Sequence, residues 1–365
     1  MNQTAKIIFL FLVFFQSAVF SFYSDLGIES AYDSNVFEDS NHQESFILSS
    51  FWSFRHASVQ GESSVVFLEG NFFLDKYFSV KEEDNFSGNL KLKYRLKGEE
   101  NTLDLTLGGF YDNLWNDSSR TFLKVFFNPE YRSDFDFMVF ALGIDGGRYL
   151  FSKSDYDQYY ASFSIKTEIA PSLSHKITLN LNFEKDFFTE KYIFNSSYQS
   201  TSEKIIRNKA GGSFTWDYYL SSFITFSLKA KLENYFSDGN DLFFGPSETT
   251  LILDGDEVIF KNYYNTLVSE GAFSIEWNPK DWKIIFSTGF TGENYDGRYP
   301  YDASGNPVLS EKLSILSFYL TLRLKYYFSE SCYLNFSAAV QKNQSNDELY
   351  DALLKKISAG IGFLF

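Results

Sequence analysis

The feature that most constrains this fold is an alternation of apolar and polar residues with a period of two. In the segment 89–97 the apolar residues are Leu90, Leu92, Tyr94 and Leu96, and every other position is Asn, Lys or Arg. Successive side chains of a β-strand point to opposite faces, whereas an amphipathic helix spaces its apolar residues three and four apart. The segment therefore predicts a strand with one apolar face and one charged face.

The same alternation recurs along the chain and predicts about 16 strands. Most of them have at least the roughly 9 to 11 residues that a tilted strand needs to cross a bilayer. The predicted strands are 23–36, 46–56, 63–73, 86–97, 102–111, 120–132, 135–148, 156–169, 175–186, 208–219, 223–236, 262–277, 282–295, 313–328, 332–342 and 353–365.

The predicted connections alternate between short and long. Short links fall near Gly61, 98–101, 133–134, 171–174, 220–222, 278–281 and 329–331, and the longest links are 187–207, 237–261 and 296–312. Short periplasmic turns that alternate with longer outer loops are typical of an antiparallel membrane barrel, and an even strand count places both termini in the periplasm. The sequence therefore predicts an all-β transmembrane barrel. The alternative is a soluble β-sandwich, in which strands this long are seldom combined with so many aromatic residues.

The composition agrees with a membrane barrel. Aromatic residues make up 20% of the chain, with 43 Phe and 25 Tyr, yet the mean hydropathy is only -0.22. A barrel reconciles the two values because the lipid-facing and lumen-facing residues of each strand cancel in the average. The net charge of -15, with no continuous basic patch, argues against a nucleic-acid partner.

The first 21 residues predict a cleavable signal peptide. Lys6 precedes an apolar run from Ile7 to Phe15, and small residues lead to a cleavage site after Ser21. The apolar run is shorter than the roughly 20 residues of a transmembrane helix. We therefore expect residues 22–365 to form one barrel domain. Cys332 is the sole cysteine, which excludes an intrachain disulfide, and it is predicted to be a small, half-buried residue beside a turn.

The last strand carries a resemblance to a known class. Ile357, Ala359, Ile361, Phe363 and Phe365 alternate up to the final residue. In this respect the chain resembles bacterial outer-membrane β-barrel proteins of the porin-like kind, whose last strand typically ends in an aromatic residue. The resemblance implies a location in the bacterial outer membrane, contact with its lipid, and recognition of Phe365 by the barrel-insertion machinery.

The polar faces of the predicted strands indicate what the lumen contains. Seven basic side chains are predicted to line a pore: Lys91, Lys93, Arg95, Lys229, Lys231, Arg323 and Lys325. Basic strips on a pore wall favour anionic solutes, and the excess acid is then expected mainly in the outer loops. The alternative is that these residues solvate a plugged lumen or pair with acids, for which the candidates are Asp104, Glu168, Glu184 and Glu233.

The sequence offers little for catalysis. His42, His56 and His175 are its only histidines; we expect the first in an outer loop and the other two near the periplasmic side, where they would not converge. The acidic segments 238–241 and 254–257 lack the spacing of a calcium loop and are interpreted as turns, with Asp254-Gly255 at the tip of a small hairpin. No enzymatic activity, metal or cofactor is predicted.

The predicted function is therefore a porin-like channel for passive diffusion of small hydrophilic solutes, because about 16 strands enclose an aqueous lumen. Two alternatives remain: a surface-exposed binding or adhesion barrel acting through the loop 237–261, and a lipid or polysaccharide export barrel. The loop 112–119 is too short to fold inward as a constriction. The solute and the oligomeric state are left open.

Overall fold

A computed structural model describes most of the chain. The described residues are 20–35, 43–59, 63–80, 84–114, 121–152, 157–194, 200–237, 242–244, 259–261, 265–300, 308, 310–347 and 350–365. Among them, no helix combines the length and the apolar content needed to cross a membrane.

The described chain forms sixteen long strands and one short hairpin. The long strands are β1 (Phe20–Asp33), β2 (Ser45–Val59), β3 (Ser64–Tyr77), β4 (Asn85–Lys97), β5 (Asn101–Leu114), β6 (Phe122–Phe135), β7 (Met138–Phe151), β8 (Gln158–Ser172), β9 (His175–Phe194), β10 (Ser200–Ser221), β11 (Ile224–Ser237), β14 (Thr266–Trp277), β15 (Trp282–Tyr295), β16 (Ser314–Ser329), β17 (Cys332–Ser345) and β18 (Leu353–Leu364). The hairpin is β12 (Leu242–Phe244) with β13 (Ile259–Lys261).

The sixteen long strands close into an antiparallel barrel. Each strand pairs with its neighbours along the chain, β11 pairs with β14 past the short hairpin, and β1 pairs with both β2 and β18. At this seam the backbone of Phe365 exchanges two hydrogen bonds with Ser24, of 2.9 and 3.0 Å. Closure leaves no open edge among the sixteen long strands; an open edge in lipid would expose unpaired backbone groups.

The predicted strand set is confirmed, but two predicted connections are wrong. The turn expected at 133–134 lies at 136–137, because Asp134 stays in β6, where its carboxylate accepts a hydrogen bond from Arg132. The link expected at 187–207 is mostly strand, since β9 continues to Phe194 and β10 begins at Ser200. Its polar composition resembled a loop, yet Arg207 pairs with Asp186 across the two strands.

The loop between β11 and β14 is described only in part. β12 pairs with β13 through three residues on each strand, and Leu242 also pairs with Phe194 of β9. The predicted turn at Asp254-Gly255 and both acidic segments lie outside the described residues.

The two faces of the barrel wall differ as the alternation predicts. Leu90, Leu92 and Leu107 point outward and are 44–54% exposed, while Lys91 and Lys93 lie on the inner face. Outward-facing aromatic residues gather toward the short turns: Tyr131, Trp216, Tyr218, Trp277, Trp282 and Tyr326. This is the apolar band and aromatic girdle of a strand barrel in lipid. Cys332 lies at the start of β17 beside the turn 330–331, as predicted, but it is buried and not half-buried.

Candidate functional site on the inner wall

The inner face of β3 to β8 is arranged in rows that run across the strands. In one row, Lys91 lies between Glu69 and Gly108, and Gly108 lies opposite Phe126. In the next row, Asn89, Phe110, Lys124 and Tyr149 follow one another on β4, β5, β6 and β7. Residues directly opposite each other on antiparallel strands are in side-chain contact range, so each row forms a continuous strip.

The three predicted basic residues of β4 share the inner face, and two of them bind one acid. The carboxylate of Asp104 accepts two hydrogen bonds from Arg95, of 2.7 and 2.8 Å, and forms an ion pair of 2.7 Å with Lys93. Lys91 has no carboxylate within 4.0 Å among the described residues. Asp104 therefore neutralises part of this basic strip.

The two predicted lysines of β11 are also paired. Lys229 lies 2.8 Å from Glu270, and Lys231 lies 2.7 Å from Glu233. Glu233 is shared with Lys209 of β10 at 3.2 Å. These contacts hold the lysine side chains against the wall.

The predicted basic pair of β16 lies on another part of the wall. The ammonium of Lys325 is 3.4 Å from the ring centroid of Tyr333, whose hydroxyl donates a 2.7 Å hydrogen bond to Asp25. An ammonium over an aromatic face is stabilised by the ring quadrupole. Within the described part of the chain, Arg323 has no carboxylate within 4.0 Å.

The inner wall is thus mixed in charge, and the sequence prediction of basic strips is incomplete. Of the four acids proposed as partners, Asp104 and Glu233 do pair with predicted residues. Glu168 binds Lys166 and Lys176 instead, and none of the seven predicted residues pairs with Glu184. The antiparallel register brings acids and bases of neighbouring strands into contact, as it does for Arg95 and Asp104.

Every ion pair among the described residues runs along the wall. Each joins side chains of one strand, of adjacent strands, or of a strand and a residue one or two positions before the adjacent strand. Lys76–Asp84, Arg148–Asp157 and Lys342–Asp351 occupy outward-facing positions near the loop ends of their strands. The other pairs line the lumen, and none among the described residues bridges it.

The wall also contains a cavity of about 640 Å³ that sequence reasoning missed. It is lined by Glu69, Asn89, Lys91, Lys93, Thr106, Phe110, Phe122, Lys124, Phe126, Asn128, Asp145 and Tyr149. The sequence of β6 indicated this cavity, because Phe122, Lys124 and Phe126 are spaced two apart and therefore lie together on the inner face. It was hidden because Leu123 and the other outward residues are equally apolar, so the alternation has low contrast.

The histidines do not form a site with each other. His56 lies at the short-turn end of β2 and His175 at the short-turn end of β9, with six strands between them. His175 accepts a hydrogen bond of 3.2 Å from Trp216 on the outer face. His42 lies outside the described residues.

Within the described ranges, no group of three or more His, Cys, Asp or Glu is arranged to hold a metal ion.

The geometry agrees with solved membrane barrels. The anion-selective porin from Comamonas acidovorans aligns with a TM-score of 0.50 at 10% identity, over 96% of this chain and 100% of that one. The chain has the fold of an outer-membrane β-barrel. A bacterial polysaccharide outer membrane secretin aligns with a TM-score of 0.48 at 10% identity, over 94% and 98% of the two chains. OmpT of Vibrio cholerae aligns with a TM-score of 0.47 at 9% identity, over 95% and 97%.

The likeness to the Comamonas acidovorans porin, at 10% identity, defines the fold of this chain and not its family. No family model matches the sequence, and no curated protein matches it. The apolar outer face is the surface that contacts the lipid of the membrane.

Proposed function

We propose that this protein is a non-enzymatic channel of the bacterial outer membrane through which small hydrophilic solutes diffuse passively. The observation that carries the proposal is the lateral arrangement of the ion pairs on the inner wall, for example Lys229 with Glu270 between β11 and β14. Charged side chains that bind their neighbours along the wall remain hydrated on their lumen side. In this proposal the space between opposite walls is filled with water.

The strand number supports the same proposal. A barrel of eight strands is filled by its own side chains, whereas one of sixteen encloses an aqueous lumen. In this proposal residues 1–21 are a signal peptide and residues 22–365 form the barrel. Both termini are periplasmic, and the barrel-insertion machinery recognises Phe365. Cleavage after Ser21 would remove only the first two residues of β1.

The selectivity proposed for the channel is anionic and comes from uncompensated charge. Lys91 and Arg323, within the described part of the chain, are the two predicted pore residues that have neither an ion pair nor an aromatic ring as partner. A fixed charge on a low-dielectric wall raises the local concentration of the opposite ion. One structural neighbour is described as an anion-selective porin, a description that applies to that protein.

The test is the conductance of the refolded protein in a planar bilayer with a salt gradient. We expect steady current steps, and a reversal potential whose sign reports preference for the anion. Replacing Lys91 and Arg323 with Gln should shift that potential toward cation preference. A correctly folded barrel that conducts no current would overturn the channel, and an unchanged potential would overturn the selectivity.

A surface-binding function is the second candidate, because β9 and β10 extend beyond their neighbouring strands at the long-loop end of the barrel. β9 continues past the start of β8 at Gln158, and β10 begins before the end of β11 at Ser237. The pairing of β12 with β9 and β13 continues the sheet on that side. If this extension binds a surface ligand, deleting residues 238–264 should abolish that binding and leave the conductance intact. Loss of conductance would instead connect the loop with the pore.

A further inference from the structure

The cavity on the inner wall of β3 to β7 is lined by packed aromatic rings. The ring centroids of Phe110 and Phe122 are 5.6 Å apart, and those of Phe122 and Tyr149 are 5.8 Å apart. Tyr149 continues the cluster to Tyr160 at 5.3 Å. Aromatic rings at these spacings form an extended apolar surface on an otherwise polar wall.

Glycines on neighbouring strands make room for these rings. A Cβ atom at Gly108 would overlap the ring of Phe126, and one at Gly147 would approach the ring of Tyr160 to 2.9 Å. Both rings therefore lie across a glycine on the adjacent strand and close to the backbone. The rings cover the wall with apolar surface while the cavity above it stays open.

The acids around the cavity are already engaged. Glu69 forms an ion pair of 3.0 Å with Arg55, and Asp145 accepts a hydrogen bond from the hydroxyl of Tyr160, which lies 3.1 Å from both carboxylate oxygens. Lys93 forms an ion pair of 2.7 Å with Asp104, a carboxylate that it shares with Arg95. The carboxylates thus have partners of their own.

Two ammonium groups remain for a ligand. Among the described residues, neither Lys91 nor Lys124 has a carboxylate within 4.0 Å. The ammonium of Lys124 lies 4.2 Å from the ring centroid of Tyr160 and 4.8 Å from that of Tyr149. These rings hold the cation within the aromatic cluster.

We propose that this cavity binds small carboxylates that carry a flat apolar ring, such as benzoate, as a subsite of the channel. The inference rests on the proposed function only for its place on a solute path. The ring of the ligand stacks on Phe126 and Tyr149, and its carboxylate binds Lys91 or Lys124. A small inorganic anion would leave the aromatic surface unused, and a neutral ring would leave the lysines unmatched. The volume of about 640 Å³ lies within the usual range for small-molecule sites.

The direct test is equilibrium dialysis of labelled benzoate against the folded barrel in detergent, which requires no conductance. We expect saturable binding that is tighter than that of acetate or benzyl alcohol. Lys91→Gln and Lys124→Gln, made singly and together, should weaken binding by roughly tenfold for the double variant, because charge-assisted hydrogen bonds are lost. Phe126→Leu should weaken benzoate binding and leave acetate binding unchanged.

Arg323→Gln is the matched control, since it removes an uncompensated cation from a distant part of the wall. It should leave benzoate affinity unchanged. The mobility of unheated protein on a denaturing gel reports folding, and the single variants keep the test decisive if the double variant misfolds. Absence of saturable binding, or equal affinity in the lysine variants, overturns the inference. If the barrel conducts but does not bind benzoate, the proposed site is overturned and the channel stands. If it binds benzoate but does not conduct, the site is supported and the channel is overturned.

Discussion

Arg95 and Asp104 form a two-pronged ion pair across β4 and β5, with Nε and Nη2 donating to the two carboxylate oxygens at 2.7 and 2.8 Å. The two residues are directly opposite in the strand register, and Asp104 is buried. A planar guanidinium matches a carboxylate in this geometry, so the pair is well oriented. One acid thus determines how much charge β4 presents to the lumen.

We predict that Asp104→Asn increases anion preference and that Arg95→Gln decreases it. Asn keeps the shape of Asp and removes one negative charge, which leaves Arg95 and Lys93 uncompensated. The reversal potential in a potassium chloride gradient measures both shifts. The double variant has the net charge of the parent and should return close to its potential. A double variant that keeps the shift of either single variant would show that charge on β4 does not govern selectivity.

Adjacent glycines of β7 should differ sharply in their tolerance to alanine. A Cβ at Gly147 would overlap the backbone oxygen of Val125, whereas one at Gly146 meets only the oxygen of Tyr160 at 3.5 Å. We expect Gly147→Ala to destabilise the barrel by about 1–3 kcal/mol, as overpacking does. Urea titration after refolding into detergent measures it. Gly146→Ala is the control, and equal losses would contradict the close approach of β6 and β7.

A charge on the outer face should be far more costly than one on the inner face of the same strand. Leu107 points outward and is 54% exposed, while Thr106 lines the inner cavity. Leu107→Arg is expected to cost about 2–4 kcal/mol because the charge enters the apolar band. Folding yield in lipid vesicles measures the loss, and Thr106→Arg should fold nearly as well as the parent. The reverse order would invert the assignment of the two faces.

Phe365 should matter more for assembly than for the stability of the finished barrel. Its backbone is hydrogen bonded to Ser24, but the residue is 70% exposed. Phe365→Ala should therefore change stability by less than about 0.5 kcal/mol in vitro while lowering the amount inserted in cells. Phe363→Ala, which removes an outward ring and keeps the terminal aromatic residue, is the comparison. Insertion at the parent level in Phe365→Ala cells would contradict the signal role.

The strands could be predicted from the sequence because their information is local. Period-two alternation identifies both a strand and its two faces, and all sixteen long strands were found in this way. The two wrong connections were predicted where polar composition, and not alternation, was taken to indicate a loop. The segment 187–207 resembled a loop, and only the pairing of β9 with β10, in which Arg207 binds Asp186, shows that most of it is strand.

The site was only half predictable for the same physical reason. Alternation places Lys91 and Arg95 on the inner face, but it carries no information on which residue of the next strand lies opposite. Asp104 lies nine positions from Arg95 in the chain, and Glu270 is 41 positions from Lys229. The sequence by itself determined the strands, their faces and the membrane-barrel class. Closure and register, which are long-range, decided which charges are neutralised and which stay available beside an aromatic cavity.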